Sequence, residues 1–196
     1  RLEISLNQVR KQRKQQKAKR RKRSLPVVSI IGYTNAGKST LLNTLTKSQV
    51  LAESRLFTTL DPSSRRLRFP KDMEVIITDT VGFIRDLPKE LMVAFRATLE
   101  ELESANLLLH VIDISNARFE NQIDSVEKIL EDLNLQHVPV IYVLNKRDLV
   151  TEEMAERLAA RYNGIAISAH TAATLGEMIR SIDIMIRPLF APEEEI

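Results

Sequence analysis

From Val27 onward, short runs of aliphatic and β-branched residues alternate with segments of helical period. The apolar runs cover 27–31, 75–78, 107–112, 138–144 and 165–167, and helical patterns lie near 40–46, 89–104, 119–134, 151–162 and 174–187. Runs that are apolar at nearly every position suit strands buried on both faces, and their alternation with helices predicts a parallel sheet covered on both sides. A further strand, 64–69, precedes 73–78 with only Pro70-Lys71-Asp72 between them. That gap is too short for a parallel crossover, so the two are expected to form an antiparallel hairpin. The expected fold is α/β, a mostly parallel six-stranded sheet with one antiparallel edge strand.

The first 23 residues follow a different pattern. Leu2, Leu6 and Val9 fall on one helical face, and from Arg10 onward the segment is Lys, Arg and Gln with a single Ala. These are helix formers without Gly or Pro, so a helix is expected that stops at Ser24-Leu25-Pro26. The chain has 29 basic and 26 acidic residues; eleven of the basic and one of the acidic fall in residues 1–23, which leaves 18 and 25 for the rest. A mildly acidic body thus carries a strongly basic arm. Such an arm contacts phosphate backbones without reading sequence, and no aromatic residue is interleaved for base stacking. A solvated helix that merely keeps the chain soluble reads the same way. The expected division is a basic helical arm at 1–25, a nucleotide-binding domain at 26–190 and a tail at 191–196.

Composition excludes some classes. There is no Cys, hence no disulfide framework or thiolate metal site. No apolar run reaches the roughly 18 residues of a membrane span. His110 lies in an apolar run and reads as a core residue, His137 as a loop residue, and no His pair has zinc-ligand spacing. The chain begins with Arg, and a fragment of a longer protein is expected.

Four motifs carry chemistry. Gly32-Tyr33-Thr34-Asn35-Ala36-Gly37-Lys38-Ser39 matches G-x-x-x-x-G-K-[ST], the phosphate-binding P-loop, between a strand and a helix beginning near Thr40. Its backbone N–H groups form a phosphate cage, Lys38 is expected on the β- and γ-phosphates, and Ser39 on Mg²⁺. Asp79-Thr80-Val81-Gly82 matches D-x-x-G, with Asp79 holding the Mg²⁺ shell and the Gly82 N–H contacting the γ-phosphate. Asn145-Lys146-Arg147-Asp148 matches N-K-x-D. A carboxylate at Asp148 can accept both the N1–H and the exocyclic amine of guanine, whereas adenine would leave it unpaired. Asn145 can bond in the same pocket and the Lys146 stem can lie on the base face. Ser168-Ala169 follows the last strand, where the Ala169 N–H can donate to the guanine O6 and His170 can shape the loop. Between the first two motifs, Phe57-Thr58-Thr59 offers two threonines that could sense Mg²⁺ and the γ-phosphate. A GTP/GDP site with Mg²⁺ follows.

The fuller strings resemble one family. The P-loop through Thr40, Phe57-Thr58-Thr59-Leu60-Asp61-Pro62, Asp79-Thr80-Val81-Gly82-Phe83-Ile84, Ala94-Phe95-Arg96-Ala97-Thr98-Leu99-Glu100 and Leu108-Leu109-His110-Val111-Ile112-Asp113 are together similar to HflX, a ribosome-associated GTPase. The resemblance covers residues 26 to about 188 and implies a P-loop NTPase fold with a Ras-like GTPase domain. It selects Thr59 over Thr58 as the Mg²⁺-sensing residue. It implies Lys38, Thr59 and Gly82 as the groups nearest the hydrolytic chemistry. It also implies a cytoplasmic protein, expected as a monomer, acting on the large ribosomal subunit and its RNA, with the family's N-terminal domain missing. Where Ras-like GTPases place a water-orienting Gln, this chain has Phe83, so slow intrinsic hydrolysis stimulated by the ribosome is expected. Asn35 stands where related GTPases hold K⁺. A GTPase of ribosome assembly or tRNA modification, or a nucleotide switch with negligible hydrolysis, would share the same motifs.

Overall fold

A computed structural model describes residues 25–47, 64–69, 73–79 and 100–190. Residues 1–24 of the expected arm, the tail, the threonine loop, Gly82 and Phe83 lie outside the described residues, as does most of the helix expected at 89–104. Of that helix, Glu100–Ser104 is a short 3₁₀ turn.

Six strands form one sheet. β1 is Val27–Gly32, β2 Ser64–Phe69, β3 Met73–Asp79, β4 Leu107–Asp113, β5 Val140–Asn145 and β6 Ile165–Ala166. Their order is β2-β3-β1-β4-β5-β6. β2 pairs antiparallel with β3, and the other neighbours are parallel. Among the described residues the α-helices are α1 Lys38–Lys47, α2 Phe119–Asp132, α3 Glu152–Tyr162 and α4 Gly176–Ile186.

Alternation along the strands divides the core. Val28, Ile30, Leu107, Leu109, Val111, Ile141 and Val143 face Leu41 and Leu45 of α1 and Met178, Ile179 and Ile182 of α4. On the opposite face, Ile31 and Leu108 meet Val126 and Leu130 of α2. Ile112 and Leu144 meet Phe119 and Ile123 of α2 and Ala155 and Leu158 of α3. Each such side chain contributes about 1.5–3 kcal/mol on burial, which is why the runs at β1, β4 and β5 are apolar at nearly every position.

The boundaries moved for local reasons. α1 begins at Lys38, inside the P-loop motif, with Leu41 N–H already bonded to Gly37 O at 2.9 Å. β5 starts at Val140 because the Val138 N–H turns back to Leu135 O and Pro139 has no N–H to offer a ladder. α2 stops at Asp132 because Asn134 is left-handed, φ 56°, and the Leu135 N–H closes back on Leu130 O. α3 ends in the same motif, with Asn163 at φ 46° and the Gly164 N–H on Ala159 O.

Candidate functional site

The site forms at the carboxyl ends of β1, β3, β4 and β5, where open α/β sheets bind ligands. β1 runs into Gly32, φ 143°, whose missing side chain lets it lie against the Val111 carbonyl of β4. The loop turns through Asn35, φ 62°, and Gly37, φ 99°. The Ala36 N–H donates to Tyr33 O at 3.3 Å. Lys38 then folds its side chain back across the loop. Its Nζ donates to Gly32 O at 3.1 Å and Tyr33 O at 2.8 Å, and the residue is only 6% exposed. Burial pushes its pKa down, while the nearby Asp79 carboxylate partly offsets that. A buried ammonium that, among the described residues, is satisfied only by carbonyls is ready for an anionic partner.

Ser39 and Asp79 come together at the ends of α1 and β3. Ser39 Oγ donates to Asp79 Oδ2 at 2.6 Å, and Asp79 Oδ1 is buried without a hydrogen-bond partner among the described residues. Beneath them, Ser29 and Thr78 satisfy each other across β1 and β3 at 2.9 Å.

Asn145 joins the motifs. At 2% exposure, its Nδ2 donates to Ala36 O of the P-loop at 2.7 Å and its Oδ1 accepts the Ala169 N–H at 2.8 Å. The Ala169 amide expected to face a base is therefore bonded to Asn145. The Ala169 carbonyl accepts from Thr44 Oγ1 of α1 at 2.6 Å. Ser168 is held by Thr174, whose Oγ1 takes the Ser168 N–H and donates to its carbonyl, both at 3.0 Å. Lys146 sits in the left-handed region, φ 65°, with its ammonium on Asp113 Oδ2 at 2.6 Å. Asp148 is exposed, and a hydrogen bond from the Ser168 side chain, more than any other influence, holds its carboxyl below the ordinary value of 3.8.

A cleft of about 370 Å³ runs through this arrangement, lined by Asn35, Gly37, Lys38, Ser39, Thr40, Asn145, Lys146 and His170. P-loop and N-K-x-D residues, more than a hundred positions apart in sequence, share its walls. The structure thus gathers the described candidate residues Gly32 to Thr40, Asp79, Asn145, Lys146, Asp148, Ser168 and Ala169 around one region. Phe57, Thr58, Thr59 and Gly82 lie outside the described residues. Sequence reasoning missed Asp113, Thr44 and Thr174. Asp113 closes the string Leu108-Leu109-His110-Val111-Ile112-Asp113, where an acidic residue at a strand's carboxyl end was a usable signal. The threonines left none.

Comparison with known proteins decides the family. The family described as 50S ribosome-binding GTPase matches residues 27–146. GTPase HflX of Caldanaerobacter subterraneus subsp. tengcongensis is 45% identical over 195 residues, covering 100% of this chain and 44% of that protein. The chain belongs to the HflX family of GTPases. GTPase HflX of Escherichia coli is 40% identical over 185 residues, 92% of this chain and 43% of that protein. This HflX-family chain thus spans less than half the length of these two relatives. Among solved structures, a GTP-binding protein from Sulfolobus solfataricus in complex with GDP is 27% identical with a TM-score of 0.65, covering 95% of this chain and 61% of that one. Era of Aquifex aeolicus bound to GDP·AlF₄⁻ is 26% identical with a TM-score of 0.57, covering 81% and 56%. The chain thus shares its overall fold with these two nucleotide-bound proteins.

His110 is a core residue, as expected, but an electrically strained one. It is 2% exposed on β4, its Nδ1 has no partner among the described residues, and its ring meets Tyr142 at 5.6 Å between centroids. Burial first, and then the Lys38 charge, pushes its pKa from 6.5 down to about 3. The native ring stays neutral while the unfolded chain takes up a proton below 6.5. This contribution to stability is therefore complete above that pH and is lost progressively as pH falls towards 3. The loss at pH 5 relative to pH 8 is about 2 kcal/mol. Urea unfolding at the two pH values is expected to show that the difference shrinks by this amount in His110→Phe. An equal pH dependence in both proteins would exclude His110 as its source.

Proposed function

We propose that this chain binds Mg·GTP in the cleft and hydrolyses it to GDP and phosphate, as the GTPase domain (residues 26–190) of an HflX protein acting on the large ribosomal subunit. The observation that carries the reading is the Asn145 bridge from Ala36 O to the Ala169 N–H. It links the phosphate-binding loop to the base-reading loop at fixed separation, and an enzyme recognising both ends of a nucleotide needs that rigidity. In this reading Asp148 selects guanine. The amides from Tyr33 to Thr40, with Lys38, cradle the phosphates and stabilise the charge that develops as water attacks the γ-phosphate in line. Thr59, with Phe57 and Thr58 beside it, and Gly82 report the γ-phosphate.

The chemistry of Ser39 and Asp79 fits Mg²⁺. A hydroxyl and a carboxylate are hard oxygen donors, and the buried Asp79 Oδ1, without a partner among the described residues, is a spare acceptor beside them. Mg²⁺ is commonly held by one or two protein ligands together with substrate phosphates. When bound, Mg²⁺ would neutralise charge on the β- and γ-oxygens. Asn35, left-handed and on the cleft wall, is the residue we assign to a K⁺ contact.

Residues 1–25 serve in this reading as a basic arm on ribosomal RNA, and 191–196 as a tail. Cytoplasmic, ribosome-associated action follows. No helix of the described residues is long and apolar enough to cross a membrane. The test is GTP turnover by this chain, alone and with purified large ribosomal subunits, in K⁺ and in Na⁺. Slow turnover that rises with subunits, and rises further in K⁺, is expected. GTP binding with no stimulation would overturn the claim that this chain senses the subunit. Equal rates in the two salts would remove Asn35 from any ion site.

A further inference from the structure

Lys146 has an anchor that no nucleotide motif accounts for. β4 and β5 are in parallel register, with Asp113 opposite Asn145, so the last residue of β4 lies beside the residue before Lys146. Asp113 Oδ2 takes the Lys146 ammonium at 2.6 Å. Its Oδ1 takes both the N–H and the hydroxyl of Ser115, at 3.1 and 2.6 Å. With both oxygens occupied, the carboxylate cannot swing. The pair is partly shielded, 13% exposed at Asp113 and 30% at Lys146, so the attraction is less screened than on an open surface. Lys146 also holds φ 65°, a conformation that residues with side chains keep only where their surroundings impose it. Lys146 lines the cleft beside Asn35 and Gly37, whereas Asp113 does not.

We propose that Asp113 is a positioning residue for base recognition: it pins the Lys146 ammonium, so that the lysine stem stands as a fixed apolar wall of the nucleotide cleft. This deepens the guanine reading and rests on it. The chemistry separates two roles at one pocket. A methylene stem packs on the face of a purine and is indifferent to the substituent at C2. Asp148, by contrast, needs the exocyclic amine that guanine carries and hypoxanthine lacks. Asp113 therefore governs how tightly a 6-oxopurine is held, and Asp148 governs which one. Without Asp113 the four-carbon stem regains its rotamers, and binding must then order it.

The test is equilibrium binding of GDP, IDP and ADP to the wild type, Asp113→Ala, Asp113→Asn, Lys146→Met and the Asp113→Ala/Lys146→Met double variant, with thermal unfolding of each. Asp113→Ala is expected to weaken GDP and IDP by the same factor, about fivefold for a partly shielded charge pair. Asp113→Asn, which keeps an acceptor for the ammonium, should recover part of the loss. In the Lys146→Met background, Asp113→Ala should cost nothing further, because the wall it steadies has lost its charge. Three results would overturn the proposal: a fall in unfolding temperature with GDP affinity unchanged, unequal losses for GDP and IDP, or the same loss with and without Lys146. A wild type that binds ADP as tightly as GDP would overturn the guanine reading itself, and the role of Asp113 with it.

Discussion

Asp148→Asn is expected to convert the nucleotide preference from guanine to xanthine, with a change in the GDP/XDP affinity ratio of about 10⁴, the scale on which a site built to hydrogen-bond one ligand group rejects the analogue that lacks it. An ionised carboxylate offers two acceptors to the N1–H and the C2 amine of guanine. A carboxamide offers one acceptor and one donor, and xanthine presents an N1–H beside a C2 carbonyl. The substitution thus reverses one hydrogen bond while leaving size and shape alone. The Ser168 side chain already holds Asp148 below 3.8, so the acceptor pair stays charged at neutral pH. Guanine preference in the wild type should accordingly be flat across neutral and mildly acid pH, and fall only once the medium is more acid than the lowered carboxyl pKa. Displacement of labelled GDP by GDP, XDP and ADP measures the ratio. A variant that still prefers GDP to XDP would show that Asp148 does not read the C2 substituent.

The sequence made this residue legible because N-K-x-D is contiguous: four neighbours at a strand end carry the whole signal. The P-loop was legible for the same reason, and β1, β4 and β5 because burial on both faces leaves a run that is apolar at nearly every position. The hairpin of β2 and β3 followed from connection length alone. What escaped depends on register. Asp113 meets Lys146 across 33 positions and Thr44 meets Ala169 across 125; Asp113 is marked only as an acidic strand end, with no sign of its partner, and Thr44 carries no mark at all before the strands are aligned. His110 read correctly as core, but the opposition of Lys38 depends on how the lysine folds back over Tyr33. The helix start at Lys38 was placed two residues late, because apolar periodicity begins only at Leu41 while the backbone is helical as soon as the phosphate loop closes.

Gly37→Ala should abolish measurable nucleotide binding and lower the unfolding temperature together. Gly37 has φ 99°, where an L side chain is strained, and a methyl built on it overlaps the Nδ2 of Asn145. Both ways out are costly. If the backbone moves, the amides of the phosphate loop lose their common focus. If Asn145 moves, Ala36 O and the Ala169 N–H lose their buried partner at once, at about 1–3 kcal/mol for each group left unsatisfied. A total near 3 kcal/mol corresponds to a fall of about 6–12 °C for a domain of this size. Gly176→Ala is the control, since Gly176 opens α4 in a helical conformation with nothing within 4 Å of the added methyl. It should bind GDP normally and unfold no earlier than the wild type, because alanine is the better helix former. Asn145→Ala separates the two causes. It removes the bridge without changing any residue or backbone angle of the phosphate loop itself, so it should reproduce the thermal loss, whereas Gly37→Ala should also weaken binding of free pyrophosphate more than Asn145→Ala does. If Gly37→Ala instead keeps its GDP affinity, the close approach of Asn145 is not what holds the two loops in register.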